Sequence, residues 1–198
     1  MSCDMVLAGV GGQGVLTIGD LLLRAAFAAD VPASFCPTKG MAQRGGFVKV
    51  EIRLGRENVG PRIGEHAADV VVAMERSEAL KGLRYAKPDG TFLLYDHVWE
   101  PTGVMLGTDP YPTLEQVSER IGSAVRELIV LDPSALPSVD GRQVQPNVYV
   151  LGAMLGVPRL GELLGTSTVE RTLADRWPKS KDSNLAAFGT GLKAGGAR

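Results

Sequence analysis

Met5-Val6-Leu7-Ala8-Gly9-Val10-Gly11-Gly12-Gln13-Gly14-Val15-Leu16-Thr17-Ile18, almost at the start of the chain, reads as a strand, a glycine-rich turn and the opening of a helix. The apolar run suits a buried strand, and the glycines permit a tight turn and close backbone approach. The new helix presents unpaired N–H groups and a positive dipole end to an anion. A phosphate-bearing ligand is the first expectation, although glycines at a strand-to-helix turn also serve packing alone.

A dinucleotide site usually adds an acidic residue about 20 positions beyond the glycines, at the end of the second strand, where it holds a ribose. Here the second strand candidate is Ala33-Ser34-Phe35-Cys36, running into Pro37-Thr38-Lys39-Gly40, and the nearest acid, Asp30, precedes it. The pattern argues against NAD or FAD.

Working outward, the 198 residues are 44% hydrophobic, enough for one compact domain, and a single domain is expected over 1–198. With 21 basic against 22 acidic residues and a formal net charge of −1, nothing marks a nucleic-acid footprint or a membrane patch. Cys3 and Cys36 are the only cysteines. They supply neither a four-thiolate iron–sulfur cluster nor a structural zinc site, so no metal site is expected here and any metal centre belongs to another chain. The N-terminal stretch lacks a basic leader, and its apolar run is too short for a signal peptide or a span, which predicts a cytoplasmic protein.

A first helix is predicted from Val15 to about Ala29. The segment Phe47 to Leu54 alternates, with Val48, Val50, Ile52 and Leu54 on one face, as in a half-exposed strand. Val70 to Met74 and Thr91 to Tyr95 are continuous apolar runs of the kind covered on both faces. A helix from Ser77 to about Tyr85, closed by Pro88-Asp89-Gly90, joins them into a right-handed βαβ unit. There follow a helix from Thr113 to about Ala124, a short buried strand at Leu128 to Leu131, an apolar helix from Asn147 to Gly156, and helices at Thr168 to Trp177 and Ser183 to about Leu192. Residues 194–198 are expected to fray. The predicted fold is a three-layer α/β/α, Rossmann-like arrangement: a mostly parallel sheet with an antiparallel or edge strand and extra C-terminal helices.

A second glycine-rich element, Lys39-Gly40-Met41-Ala42-Gln43-Arg44-Gly45-Gly46, joins flexible backbone to one arginine. Arg44 suits a bidentate pair with phosphate, and Gly45-Gly46 suits close approach of a ligand or partner; a turn with a surface arginine is the plainer alternative.

Taken together, G-x-G-G-Q-G-V at Gly9 to Val15, Q-R-G-G at Gln43 to Gly46, A-D-V-V-V-A-M-E at Ala68 to Glu75 and N-V-Y-V-L-G-A at Asn147 to Ala153 resemble the gamma subunit, or gamma domain, of the 2-oxoacid:ferredoxin oxidoreductases. The motifs span most of the chain in the expected order. The wording G-M-A-Q-R-G-G at Gly40 to Gly46 is most similar to the branch of small (beta) subunits of indolepyruvate oxidoreductases. Many relatives carry a serine directly after R-G-G; this chain has Phe47, so a polar contact from that position does not carry over.

The resemblance implies a complex in which partner subunits hold thiamine diphosphate with its Mg and iron–sulfur clusters, decarboxylate a 2-oxo acid, pass electrons to ferredoxin and deliver the acyl unit to coenzyme A. This chain would bind the CoA nucleotide and help close the site. Gly9, Gly11, Gly12, Gln13 and Gly14 would form the backbone cradle, with Arg44, Gly45 and Gly46 as the facing clamp; the resemblance assigns no catalytic residue. A stand-alone nucleotide-dependent oxidoreductase and a nucleotide-binding regulatory module are the alternatives.

The remaining chemistry-bearing residues have plain readings. His66 and His97 lack a carboxylate or cysteine at ligand spacing and read as surface or partly packed. Asn147 reads as an N-cap, Cys36 as a buried strand-end thiol, and Trp99 and Trp177 as interface or core.

Overall fold

The computed structural model describes residues 1–40, 46–139 and 142–196. β1 (Cys3–Val10) has every residue buried because it lies inside a six-stranded sheet of order β2-β3-β1-β4-β5-β6. The other strands are β2 (Ala33–Lys39), β3 (Phe47–Leu54), β4 (Ala68–Ala73), β5 (Ala86–Tyr95) and β6 (Glu127–Leu131). The ladders β1–β4, β4–β5 and β5–β6 are parallel, while β3 runs antiparallel to both β1 and β2.

Alternate residues of these strands feed two cores. Met5, Leu7, Val72 and Tyr95 point toward α1 (Val15–Ala28) and four later helices, α5 (Pro146–Gly156), α6 (Pro158–Leu164), α7 (Thr166–Arg176) and α8 (Lys181–Gly196). Val6, Val71, Phe92 and Leu94 face α2 (Arg76–Leu83) and α4 (Leu114–Gly122), which contribute Ala79, Val117 and Ile121. A short helix α3 (Thr102–Met105) and a small hairpin, β7 (Ser138–Val139) with β8 (Arg142–Gln143), lie outside the sheet. The three-layer α/β expectation therefore holds.

Three differences are instructive. β3 alternates as expected, yet its charged face is covered: Glu51 is buried, accepts from the Ile63 N–H at 3.2 Å and pairs with Lys49 at 3.1 Å, while Lys49 also donates to the Tyr85 hydroxyl at 2.9 Å. β6 is an edge strand and only Leu131 in it is fully buried, so its apolar run does not mean burial on both faces. Pro37 sits inside β2, which tolerates it because β2 is the opposite edge.

α5 is apolar all round because it packs between the sheet and α8. α8 continues past Lys193 to Gly196, where fraying was expected. The reason is a seam of glycines: a Cβ at Gly156 would stand 2.6 Å from the backbone of Gly195, and one at Gly191 would overlap the Tyr149 carbonyl. The helix axes approach only because no side chain intervenes.

At the N-terminal edge of the sheet the charges are matched. Asp4 receives Arg53 at 3.0 Å and Arg56 at 3.4 Å. Asp69 receives the Asp4 N–H at 2.8 Å, Lys87 at 2.6 Å and Arg159. Burial opposes the charged form of Asp69, but these donors and cations hold its carboxyl below the usual range. Burial, and after it the Asp69 carboxylate, push the neighbouring Cys3 thiol up to about 12, which makes Cys3 a packing residue.

Candidate functional site

The opposite, C-terminal edge has a different character. After β1 the chain turns toward β2 on one side, whereas β4 and β5 follow on the other, so the ends of β1 and β4 flank the point where the strand order reverses. Open α/β sheets bind ligands at such a crevice. Here a cleft of about 600 Å3 lies between the glycine turn, the exits of β4 and β5, and the start of α5.

The expected cradle residues divide into two groups. Gly9 remains in the strand and does not line the cleft; a Cβ there would come within 2.8 Å of the Gln13 Oε1 and 2.9 Å of Met74, so its bareness makes room for Gln13. Gln13 is a brace: its Oε1 accepts from the Val10 N–H at 2.9 Å, and its Nε2 donates to the Met74 carbonyl at 2.7 Å and lies 3.3 Å from the His97 Nδ1. One amide thus ties together the exits of β1, β4 and β5. The Gly11 N–H donates to the Gly46 carbonyl at 2.9 Å, which joins the end of the second glycine element to the first. Gly12, at φ +107°, and Gly14, at φ +78°, line the cleft in conformations that favour glycine. Arg44 and Gly45 lie outside the described residues.

The N-termini of α1, α2 and α5 all lie on this edge, and they differ. α2 is capped by Glu75, which is fully buried and accepts from the Glu78 N–H at 2.8 Å. α1 starts from Gly14 and α5 from Gln145, neither with a side-chain cap nor an acidic residue in its first turn. The chain supplies its own anion to one dipole end and leaves two without one, at the same cleft. Those two ends touch, since a Cβ at Gly14 would stand 2.5 Å from the Asn147 Nδ2. Asn147 is therefore the second residue of α5 and a neighbour of the turn, where an N-cap was expected; its Oδ1 is buried without a hydrogen-bond partner.

The far wall is set by the exit of β5. Arg76 holds Asp96 through bonds of 2.6 and 3.0 Å, and the Arg76 N–H donates to the His97 carbonyl. The hydrogen bond to that carboxylate raises the Arg76 pKa above its ordinary value, so the guanidinium stays charged. Glu75 also accepts from Tyr111, from Ser77 at 2.7 Å and from the Trp99 N–H at 3.3 Å. His97 and Trp99 are consequently fixed beside the glycines. A second cleft of about 800 Å3 continues from the first, sharing Thr17, Gln145 and Asn147 and adding Lys179 and Trp177. Thr17, His97, Trp99 and Asn147 were not expected as site residues; for His97 and Trp99 the available signal was their position just past the carboxyl end of a parallel strand. Among the described residues no cluster of His, Cys, Asp and Glu has metal-binding form, and no helix is long and apolar enough to cross a membrane.

This geometry sits within a recognisable family. The model of the pyruvate ferredoxin/flavodoxin oxidoreductase family matches residues 4–194. The chain is similar to indolepyruvate oxidoreductase subunit IorB of Archaeoglobus fulgidus, at 33% identity over 193 residues covering 96% of this chain and 94% of the relative. In fold it resembles pyruvate oxidoreductase subunit PORC of Thermotoga maritima, with TM-score 0.72, 20% identity and coverage of 97% and 96% of the two chains. It also resembles part of 2-oxoglutarate:ferredoxin oxidoreductase from Magnetococcus marinus, solved with 2-oxoglutarate, coenzyme A and succinyl-CoA bound. That match has TM-score 0.65 and 19% identity, and covers all of this chain and 31% of the other.

Proposed function

The chain belongs to the pyruvate ferredoxin/flavodoxin oxidoreductase family, and on that premise we propose that it is the small subunit of a thiamine-dependent oxidoreductase of aryl-pyruvates such as indolepyruvate. Its own task is to hold the nucleotide end of coenzyme A and to help close the site over the reacting thiol. The observation that carries this reading is the meeting of two helix N-termini without an internal anion, beside a third that has one. A pyrophosphate seated there meets N–H groups and two dipole ends and asks for no ribose acid, which suits a chain with no acidic residue between Asp30 and Glu51.

Partner chains would carry thiamine diphosphate and iron–sulfur clusters, which supply the decarboxylation and the route of electrons to ferredoxin. Two cysteines are too few for a cluster here. What this chain contributes is orientation: contacts remote from the thiol fix it near the partner's reacting centre and turn an encounter into an oriented step. Gly12 and Gly14 bring the turn close to the ligand, and Gly11 acts through its bond to Gly46. Arg44 and Gly45 belong to the segment that bond leads into and form the facing clamp.

The test begins with the complex isolated from its own cells. Thiamine diphosphate and iron are expected to accompany the chain, and a chain that emerges folded but alone, free of both, would remove the subunit reading. In the complex, Arg44→Ala is expected to raise the apparent KM for CoA by about 10- to 100-fold, the range of a lost charge-assisted contact. Decarboxylation measured without CoA should be unchanged; equal loss of both activities would point to assembly in place of CoA binding.

A further inference from the structure

We propose that the exit of β5 is a stacking platform for the base of the bound nucleotide, formed by the faces of His97 and Trp99, with Gln13 as the residue that positions the platform. The inference rests on the coenzyme A reading and adds to it the part of the ligand this wall takes, a planar heteroaromatic ring.

The rings form a ladder. Tyr95 and His97 lie 6.2 Å apart at 11°, and His97 and Trp99 lie 6.5 Å apart at 29°. The ladder starts in the core, where Tyr95 is 2% exposed and packs edge-on against Tyr149, and it ends at the cleft, where Trp99 is 43% exposed. The backbone beneath this open indole is pinned, because the Glu75 carboxylate accepts from the Trp99 N–H and the His97 carbonyl accepts from the Arg76 N–H. A pinned, half-exposed aromatic step at the wall of a cleft suits a flat ligand ring as its next member.

Gln13 selects the tautomer of the step. Its two main-chain partners determine which amide atom is which, so the atom facing the His97 Nδ1 at 3.3 Å is an N–H donor. In the neutral ring the His97 Nδ1 therefore accepts and the proton resides on Nε2. The cleft's extent fits the division of the ligand: glycines and helix ends at one side for phosphate, rings at the other for the base, and the neighbouring cleft for the arm.

The experiment titrates the full chain by calorimetry with three probes: CoA, adenosine 3′,5′-bisphosphate, which has the base and no arm, and 4′-phosphopantetheine, which has the arm and no base. Trp99→Ala and His97→Ala are expected to weaken the first two probes by about 10-fold or more and to leave the third unchanged, while Trp99→Phe recovers most of the affinity. In the nitrogen NMR spectrum His97 should show the Nε2–H tautomer, and Gln13→Glu, by offering an acceptor in place of a donor, should move a proton to Nδ1. CoA that binds the Trp99→Ala chain as well as the parent, or a phosphopantetheine affinity that falls in parallel, would overturn the platform and leave the CoA reading standing. Displacement of the base probe by indolepyruvate would overturn it by assigning the step to the 2-oxo acid, and loss of copurifying partners in Trp99→Ala with nucleotide affinity intact would assign Trp99 to the subunit contact. Absence of binding by all three probes to the parent chain and to its complex would remove the CoA reading itself.

Discussion

A Cβ built on Gly12 meets no atom within 4 Å, whereas one built on Gly156 would stand 2.6 Å from the backbone of Gly195. The glycine turn and the α5–α8 seam thus use the same residue for opposite purposes. At Gly12 of the turn, glycine supplies a positive-φ backbone and keeps side-chain atoms out of a space a ligand can enter. In the seam, glycine removes the space altogether so that two helices pack backbone to backbone. The letters are alike in the two regions; what differs is whether the neighbour is open cleft or another main chain.

The seam gives the largest expected effect. Helix propensity alone says that Gly191→Ala should stabilise α8 by about 1 kcal/mol. The Tyr149 carbonyl in its way says the reverse. Backbone cannot swing aside as a side chain tip would, so the overlap has to part the helices, at a cost of about 3 kcal/mol or more. For a chain of this size that corresponds to a melting temperature lower by about 6–12 °C. A thermal melt decides the sign, and an unchanged or higher melting point would mean the seam is looser than the contact implies.

The turn predicts a different balance. Gly12→Ala meets no clash, so its stability cost is only that of holding alanine at φ +107°, about 1–2 kcal/mol. The loss in CoA affinity is expected to be larger than that, at least 10-fold, because the new methyl stands in the cleft that the phosphates are proposed to enter. Titration and melting of the same sample give both numbers. Lost stability with full affinity would place this turn in the same class as the seam, as glycine for packing, and the contrast between the regions would collapse.

How far the sequence could be read follows from the same contrast. Strand, turn and first helix were legible from Met5 to Ile18 because apolar run, glycines and helix start are consecutive. The strands at Val70 and Thr91 were legible because burial on both faces leaves a continuous apolar run. The covered charged face of β3 was not, since what buries Glu51 is Ile63 and Lys49, and Lys49 is held in turn by Tyr85. Alternation reports which residues share a face and says nothing about what will lie over it. The seam was hidden for a related reason: Gly152 and Gly156 read as part of an apolar helix, Gly191 and Gly195 as helix or tail, and only their pairing gives them meaning. At the candidate site Gln13 is read from the sequence as part of the cradle, but its side-chain bonds run to Val10, Met74 and His97, and a side chain that braces three strand ends cannot be told from a ligand contact by spacing.

The smallest effect sharpens the comparison most, because it lies in the same helix as the largest. Gly189 is two residues from Gly191, yet a Cβ there meets nothing within 4 Å. No clash opposes the gain in helix propensity, so Gly189→Ala is expected to stabilise the chain by about 0.5–1 kcal/mol and to raise the melting temperature by about 1–4 °C. Opposite signs at 189 and 191 would establish that the seam is a property of one face of α8, set by close approach to α5. Destabilisation at both positions would instead mean that α8 tolerates no added bulk anywhere, and the distinction drawn between glycine as space and glycine as contact would no longer follow from the atoms around each residue.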